Sequence, residues 1–401
     1  MILVLLVPRS LRQHLLSTLV TALSLALAGG LLMSVWVVKG QARETFTRQT
    51  GSWDAVLGAR GSKLQLVLNA IFHLEASPGN VPFADYQAIA TNRAVALAVP
   101  IAVGDNFRGY RIVGTLTSLF SEAEPVPGRK FRVAMGGRVF EDGFREALVG
   151  SFAARRLGLK VGDTFRPYHG LNFDPKAQHE DEYVVTGVLE PSNTPADRVI
   201  WIPLAGLQNM SGHAAATASD VSAVLVKLKS PIVGQQLEMM YNRQGDRFTF
   251  AWPLGTTLAQ LFDKMAWFDK VLELVAYLVA LVAAGSVLAS IYNSMSARRR
   301  DMAILRALGA RRFTVFASIV LEATSVAVLG MLGAWVLYLL ILTAVASVIQ
   351  TQTGVVLQVW AWNPVLLTAP AGLVLLGALA GVVPAIKAYR NPVAENLLPE
   401  S

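Results

Sequence analysis

The chain has 401 residues, of which 53% are hydrophobic and 15% charged, against roughly 25% charged in an average soluble domain. That deficit points to membrane segments. No cysteine is present, and the formal net charge is +8; disulfides, thiolate zinc sites, thiol catalysis and cysteine-linked lipid are excluded.

The first element, Leu15 to Val38, is apolar for long enough to cross a bilayer, which takes about 20 residues in a helix. Ala26-Leu27-Ala28 resembles a leader cleavage site, but the apolar run continues well past the about 7–15 residues of a leader core, so retention as a span is expected. Gly29 and Gly30 lie in this span.

The next segment, 42–265, is polar and reads as one α+β domain or two smaller ones. Strands are predicted at Phe131 to Met135, Tyr183 to Leu189, Val199 to Ile202 and Val221 to Leu228. Helices are predicted at Leu64 to Leu74, Tyr86 to Asn92 and Phe144 to Leu157. Gly58 to Lys63 lacks the spacing of a phosphate loop and reads as a turn before a helix. The run His179-Glu180-Asp181-Glu182 offers imidazole and carboxylate donors to a metal, or is a solvated acidic loop. Histidines 73, 169, 179 and 213 show no metalloprotease spacing, and no serine nucleophile or paired-carboxylate pattern is apparent.

Residues 266–401 hold three more spans: about Val271 to Tyr292, Phe313 to about Val348, and Pro364 to Ala385. Helices in lipid approach closely where small residues permit it. Gly285 and Ala289, Gly330 and Ala334, and Gly377 and Gly381 have that spacing, suited to packing within one subunit or to a subunit interface. Glu322 is the carboxylate well inside a span, where an ionised acid costs at least a few kcal/mol unless paired or wet. It reads either as a relay for protons or substrate, or as a hydrogen-bonded structural acid.

Between the second and third spans, Ser296 to Arg312 reads as a short amphipathic helix with Met302, Leu305 and Leu308 at helical spacing, ended by Gly309. Such a helix rests in the headgroups or docks into a groove on a cytoplasmic partner. Charge fixes the expected topology. The N-terminus, this loop and the C-terminus hold ten basic and three acidic residues, whereas the opposite short loop, Ile349 to Asn363, has no charge. Both termini are therefore expected in the cytoplasm, with the large domain outside. The stretch from Lys39 to Lys270 carries 25 basic and 22 acidic residues, too even for a nucleic-acid footprint, so no nucleic-acid partner is expected. The fold class is membrane α-helical, with four transmembrane helices and a large α+β extracytoplasmic domain between the first and second.

The run Arg-Arg-Arg-Asp-Met-Ala-Ile-Leu-Arg-Ala-Leu-Gly-Ala at 298–310, then Glu322, Gly330 and Gly333, resembles the signature of FtsX-like permeases. These are membrane subunits of type VII ABC transporters, with MacB and the lipoprotein-releasing LolC and LolE among them. Pro384 to Val393 is similar to that family's ending, and 148–164, 185–190 and 201–204 are similar to the MacB-type periplasmic domain, where a helix leads into a Gly-Asp turn and a strand. The resemblance implies a non-catalytic permease and assigns a coupling helix to Arg300, Asp301, Met302, Leu305, Arg306, Leu308 and Gly309. It implies a separate cytoplasmic ABC ATPase that holds ATP and Mg, a second permease subunit in a homodimer or heterodimer, and a periplasmic protein partner. No cofactor is expected in this chain. The function so implied is mechanotransmission acting on a periplasmic or membrane-derived cargo such as a lipoprotein, lipid or small molecule. A transmembrane sensor, or a regulator of periplasmic cell-wall hydrolases, would use the same topology without transport.

Overall fold

The computed structural model describes residues 2–48, 50–211, 219–297, 299–307 and 309–390. In chain order the elements are α1 (Ile2–Gln13), α2 (Leu15–Arg48), β1 (Ala55–Ala59), α3 (Lys63–Ala70), α4 (Phe83–Ala90), β2 (Val95–Phe107), β3 (Tyr110–Thr115) and α5 (Ser118–Glu122). There follow β4 (Glu146–Val149), α6 (Ser151–Leu157), β5 (Thr164–Phe165), β6 (Tyr168–His169), β7 (Tyr183–Val188), β8 (Ile200–Pro203), α7 (Leu204–Gln208) and β9 (Ala223–Leu228). The last are α8 (Pro231–Met239), β10 (Phe248–Ala251), α9 (Leu254–Ala297), α10 (Arg299–Ala307), α11 (Arg312–Thr353) and α12 (Val365–Arg390). Two compact units result: residues 1–41, 266–346 and 358–401 in one, and 42–265 with 347–357 in the other.

The first unit is helical. Four helices, α2, α9, α11 and α12, are long and apolar enough to cross a membrane. Their inward faces form one core, with Leu25, Met33, Val287, Ile319, Val326 and Leu342 among its buried residues. Leucines and valines on the outward faces, such as Leu23, Leu281, Val336 and Leu379, are exposed, as lipid-facing positions require.

The second unit is a mixed α/β domain around a ten-stranded sheet ordered β10-β1-β9-β2-β3-β8-β4-β7-β5, with β6 added on β2. Most neighbours are antiparallel, while β3 with β8 and β4 with β7 run parallel. Helices cover both faces, so alternate residues of one strand enter different cores. Ile200 and Ile202 point into one and Trp201 into the other; Val224 and Val226 are separated from Leu225 in the same way. Such strands read as nearly continuous apolar runs.

Two predicted elements change. Phe131 to Met135 forms no strand; it joins the neighbourhood of β7 through one bridge, Val133 to Leu189, before Gly136 turns the chain at φ 85°. Phe144 to Leu157 is a strand followed by a helix. Ala147, Leu148 and Val149 are claimed by the sheet, and Gly150, where a Cβ would collide with the Asp197 backbone, is the N-cap of α6. The helix-to-turn reading that follows is observed: α6 ends on Gly158 at φ 73°, and the Lys160 amide donates to the Asp163 carboxylate at 2.7 Å before β5. Of Gly58 to Lys63 only Arg60 to Ser62 connect the elements, since Gly58 and Ala59 pair with β10 as the end of β1 and Ser62 caps α3, which starts at Lys63.

His73 follows α3 in a left-handed conformation, φ 54°, buried edge-on against Trp201 with ring centroids 5.4 Å apart. Burial and the nearby Arg111 hold its imidazole down at about 3. The unfolded chain takes up this proton from about pH 6.5 and the folded chain does not, so stability is present above pH 6.5 and is lost progressively as pH falls toward 3. At pH 5 the loss is about 2 kcal/mol. His73→Phe should therefore narrow the fall in melting temperature between pH 7.5 and pH 5 by about 4–8 °C. An equal fall in both proteins, measured by thermal unfolding in detergent, would refute the assignment.

Candidate functional site

The arginine-rich connection between α9 and α11 forms its own helix, α10. Its end is set by Gly309, which stands at φ 97° and donates its amide to the Arg306 carbonyl at 3.1 Å, as a left-handed cap does. Met302 is half-buried against the bundle core and Ala303 is buried, whereas Ile304 is 42% exposed and Ala307 is exposed. Arg306 is half-buried. The backbones of Arg300, Asp301 and Leu305 are helical; their side chains, and the whole of Leu308, lie outside the described residues. Thus α10 has one face set on the bundle and another turned outward.

The surrounding helix ends are joined by aromatic and basic groups. Lys387 donates to the Tyr292 hydroxyl at 2.8 Å with its ammonium 4.8 Å from that ring's centre, linking α12 to α9. The Arg312 guanidinium lies 5.9 Å from the centre of the Tyr389 ring, linking α11 to α12. Deeper in the bundle, Glu322 is 9% exposed and accepts hydrogen bonds from Ser10 Oγ at 2.5 Å and Ser294 Oγ at 3.4 Å. One carboxylate on α11 therefore ties α1 and α9 to it, which gives the buried acid the hydroxyl partners it requires.

The small residues divide into two groups. A Cβ on Gly29 would lie 2.7 Å from Met331 Cε and 2.9 Å from Ala334 Cβ, and one on Gly30 would lie 2.9 Å from Leu337 Cβ. On Gly330 it would meet Leu25 Cβ at 2.6 Å; on Gly377, Ala327 Cβ at 2.6 Å; on Gly381, Ala323 Cβ at 2.5 Å. These glycines, with Ala334, let α2 and α12 approach α11 at backbone distance. Gly285 differs, with nothing within 4 Å of a Cβ, and Ala289 is exposed, so this pair lies on an outward face of α9 among the described residues.

The contiguous run at 179–182 is not one ligand set. Glu180 and Glu182 are exposed, the Asp181 carboxylate accepts from Ser211 and pairs with Arg145, and only His179 turns toward other donors, which come from β2 and β6. Strand register brought these together, a signal that local spacing does not carry.

Comparison with known families gives two matches. Residues 18–239 match the MacB-like periplasmic core domain, and residues 273–393 match the FtsX-like permease C-terminal domain. No curated protein sequence matches the chain. Among solved structures, the chain is similar to the extracellular domain of the noncanonic ABC-type transporter YknZ from Gram-positive bacteria, with 16% identity over 49% of this chain and 97% of that one at a TM-score of 0.31. It is also similar to the periplasmic region of MacB from Actinobacillus actinomycetemcomitans, with 13% identity over 53% and 94% at a TM-score of 0.36.

The close approaches define a contrast. Gly381→Leu should destabilise the bundle by about 1–3 kcal/mol through overpacking against Ala323, while Gly285→Leu, which meets open space, should leave the melting temperature nearly unchanged. Equal melting temperatures for Gly381→Leu and the parent would refute the α11–α12 contact.

Proposed function

The chain belongs to the FtsX/MacB-type permease family of type VII ABC transporters, and from that premise we propose that it is the permease subunit of a bacterial transporter powered by a separate cytoplasmic ATPase. The observation that carries the reading is α10: a capped helix between two spans, in the most arginine-rich connection of the chain, with one face on the bundle and Ile304 turned outward. A short helix presenting an exposed apolar side chain beside arginines suits a groove on a partner protein. ATP and Mg would be held by that partner, and the subunit would work as a dimer, with a homologous or identical copy.

In this reading ATP-driven closure of the ATPases displaces α10, and the motion passes into α9 and α2. Both are continuous helices, Leu254–Ala297 and Leu15–Arg48, and would be the elements that carry the displacement. The α/β domain then opens or closes on a periplasmic or membrane-derived cargo such as a lipoprotein, a lipid or a small molecule. The charge distribution supports cytoplasmic termini and an extracytoplasmic α/β domain.

Two measurements test this. Ile304→Glu, and separately the pair Leu305→Glu with Leu308→Glu, should abolish co-purification of the ATPase while membrane insertion persists; retained association in both variants would overturn docking through α10. Because the parent has no cysteine, Lys160→Cys, at an exposed position of the α/β domain, supplies a single thiol. It should react with an impermeant maleimide added to intact spheroplasts, and labelling only after lysis would reverse the orientation.

A further inference from the structure

We propose that Asp105, His169 and His179 bind a divalent transition-metal ion of the zinc class. The three side chains are brought together by the sheet. Asp105 on β2 and His169 on β6 are directly opposite each other in an antiparallel pair. His179 reaches the same point from the far arm of the 168–178 hairpin, where Tyr168 bridges Gln178 and the His179 amide donates to the Pro167 carbonyl at 2.9 Å. Asn106 Nδ2 donates to the carbonyls of Gly170, at 2.8 Å, and Asn172, at 3.1 Å, holding the hairpin against β2.

The donor atoms have the geometry of a coordination site. His179 Nε2 lies 3.3 Å and His169 Nδ1 3.4 Å from the same oxygen, Asp105 Oδ1. The rings are nearly perpendicular, at 76° with centroids 5.4 Å apart. One ligand atom from each residue lies within 4.8 Å of the others. For a tetrahedral ion with bonds of about 2.0–2.1 Å, ligand atoms stand about 3.3 Å apart. Two edges already have about that length, and the third lies within 4.8 Å.

The tautomer of His179 points the same way. Its Nδ1 lies 2.6 Å from the Ser211 carbonyl oxygen, which can only accept, so Nδ1 carries the hydrogen. In the neutral ring the lone pair then sits on Nε2, aimed at a carboxylate oxygen. Two acceptors do not face each other at 3.3 Å without a hydrogen or a cation between or beside them, a need that a metal ion would meet at the fully buried Asp105. A ring nitrogen that donates to a backbone carbonyl while the other binds metal is the usual outer arrangement of a histidine ligand. Here it is braced further, since Ser211 donates its amide and hydroxyl to Asp181 at 2.8 and 2.7 Å.

Two imidazoles and one carboxylate, without sulfur, select zinc and its neighbours over calcium or magnesium. Among the described residues three ligands converge here, and the His169 side chain is 58% exposed. A bound ion would pin the 168–179 hairpin to β2. The competing arrangement is a doubly protonated His179 paired with Asp105 and no ion.

The test uses the full chain in detergent, purified without a polyhistidine tag and stripped with chelator, then titrated with Zn²⁺ and with Co²⁺ as a spectroscopic substitute. About one equivalent should bind, Co²⁺ should give the visible bands of a four-coordinate N/O site, and Zn²⁺ should raise the melting temperature. His169→Ala, a change at an exposed side chain, should melt like the parent without metal yet bind about tenfold or more weakly and lose the Zn²⁺ shift. Absence of stoichiometric binding by the parent, or equal binding by His169→Ala, would overturn the proposal in favour of the ion pair.

Discussion

In lipid, apolar side chains gain nothing by leaving their solvent for each other, so a helix bundle is held by close packing and by polar groups that have no other partner. Here both act on α11. Gly29, Gly30 and Gly330 remove the side-chain layer between α2 and α11, and Gly377 and Gly381 do the same between α12 and α11. Glu322 then links α11 to α1 and α9, its carboxylate accepting from Ser10 and Ser294. Sliding a helix by one turn would separate these oxygens by about 5 Å and place Cβ atoms where backbone now lies.

At the basic end of this bundle two of the joints between helices are aromatic. The contacts of Lys387 with Tyr292 and of Arg312 with Tyr389 combine a charge with a ring face, and interactions of this kind tolerate changes of angle that a buried hydrogen bond does not. It is between these joints that the chain leaves the spans to form α10.

The spans and the Gly309 cap were legible in the sequence because each is a local signal, length of apolar run or a glycine after a helical stripe, whereas the polar extensions of α2 to Arg48 and of α9 back to Leu254 carry no apolar run. The strands were legible where both neighbours are apolar, as at Tyr183 to Val188 and Ala223 to Leu228. Val95–Phe107 was not, since Pro100, Gly104, Asp105 and Asn106 interrupt its pattern; it is a strand because β9, β3 and β6 pair with it along its length. Ala147 to Val149 looked helical for the opposite reason, being continuous in composition with α6, until Gly150 and the sheet divide them. The donors around His179 follow the same rule. Sequence offered its acidic neighbours, but in an extended chain successive side chains diverge, and the residues that meet it are 74 and 10 positions away, delivered by strand pairing.

For α10, periodicity defined a stripe of Met302, Leu305 and Leu308 without saying what the stripe touches. Met302 and Ala303 face the bundle and Ile304 faces away, so the helix has an inner anchor as well as an outer handle. That division matters for the proposed coupling. A helix lying loose in headgroups would roll when a partner pressed on it, and the displacement would be lost to lipid. With Met302 seated among core side chains, a force on the Ile304 face is carried by van der Waals contact into a close-packed interior that deforms little, and the glycine cap beyond Arg306 lets α10 tilt without unwinding α11. In the proposed coupling, transmission would therefore depend as much on the residue that points inward as on those that would meet a partner.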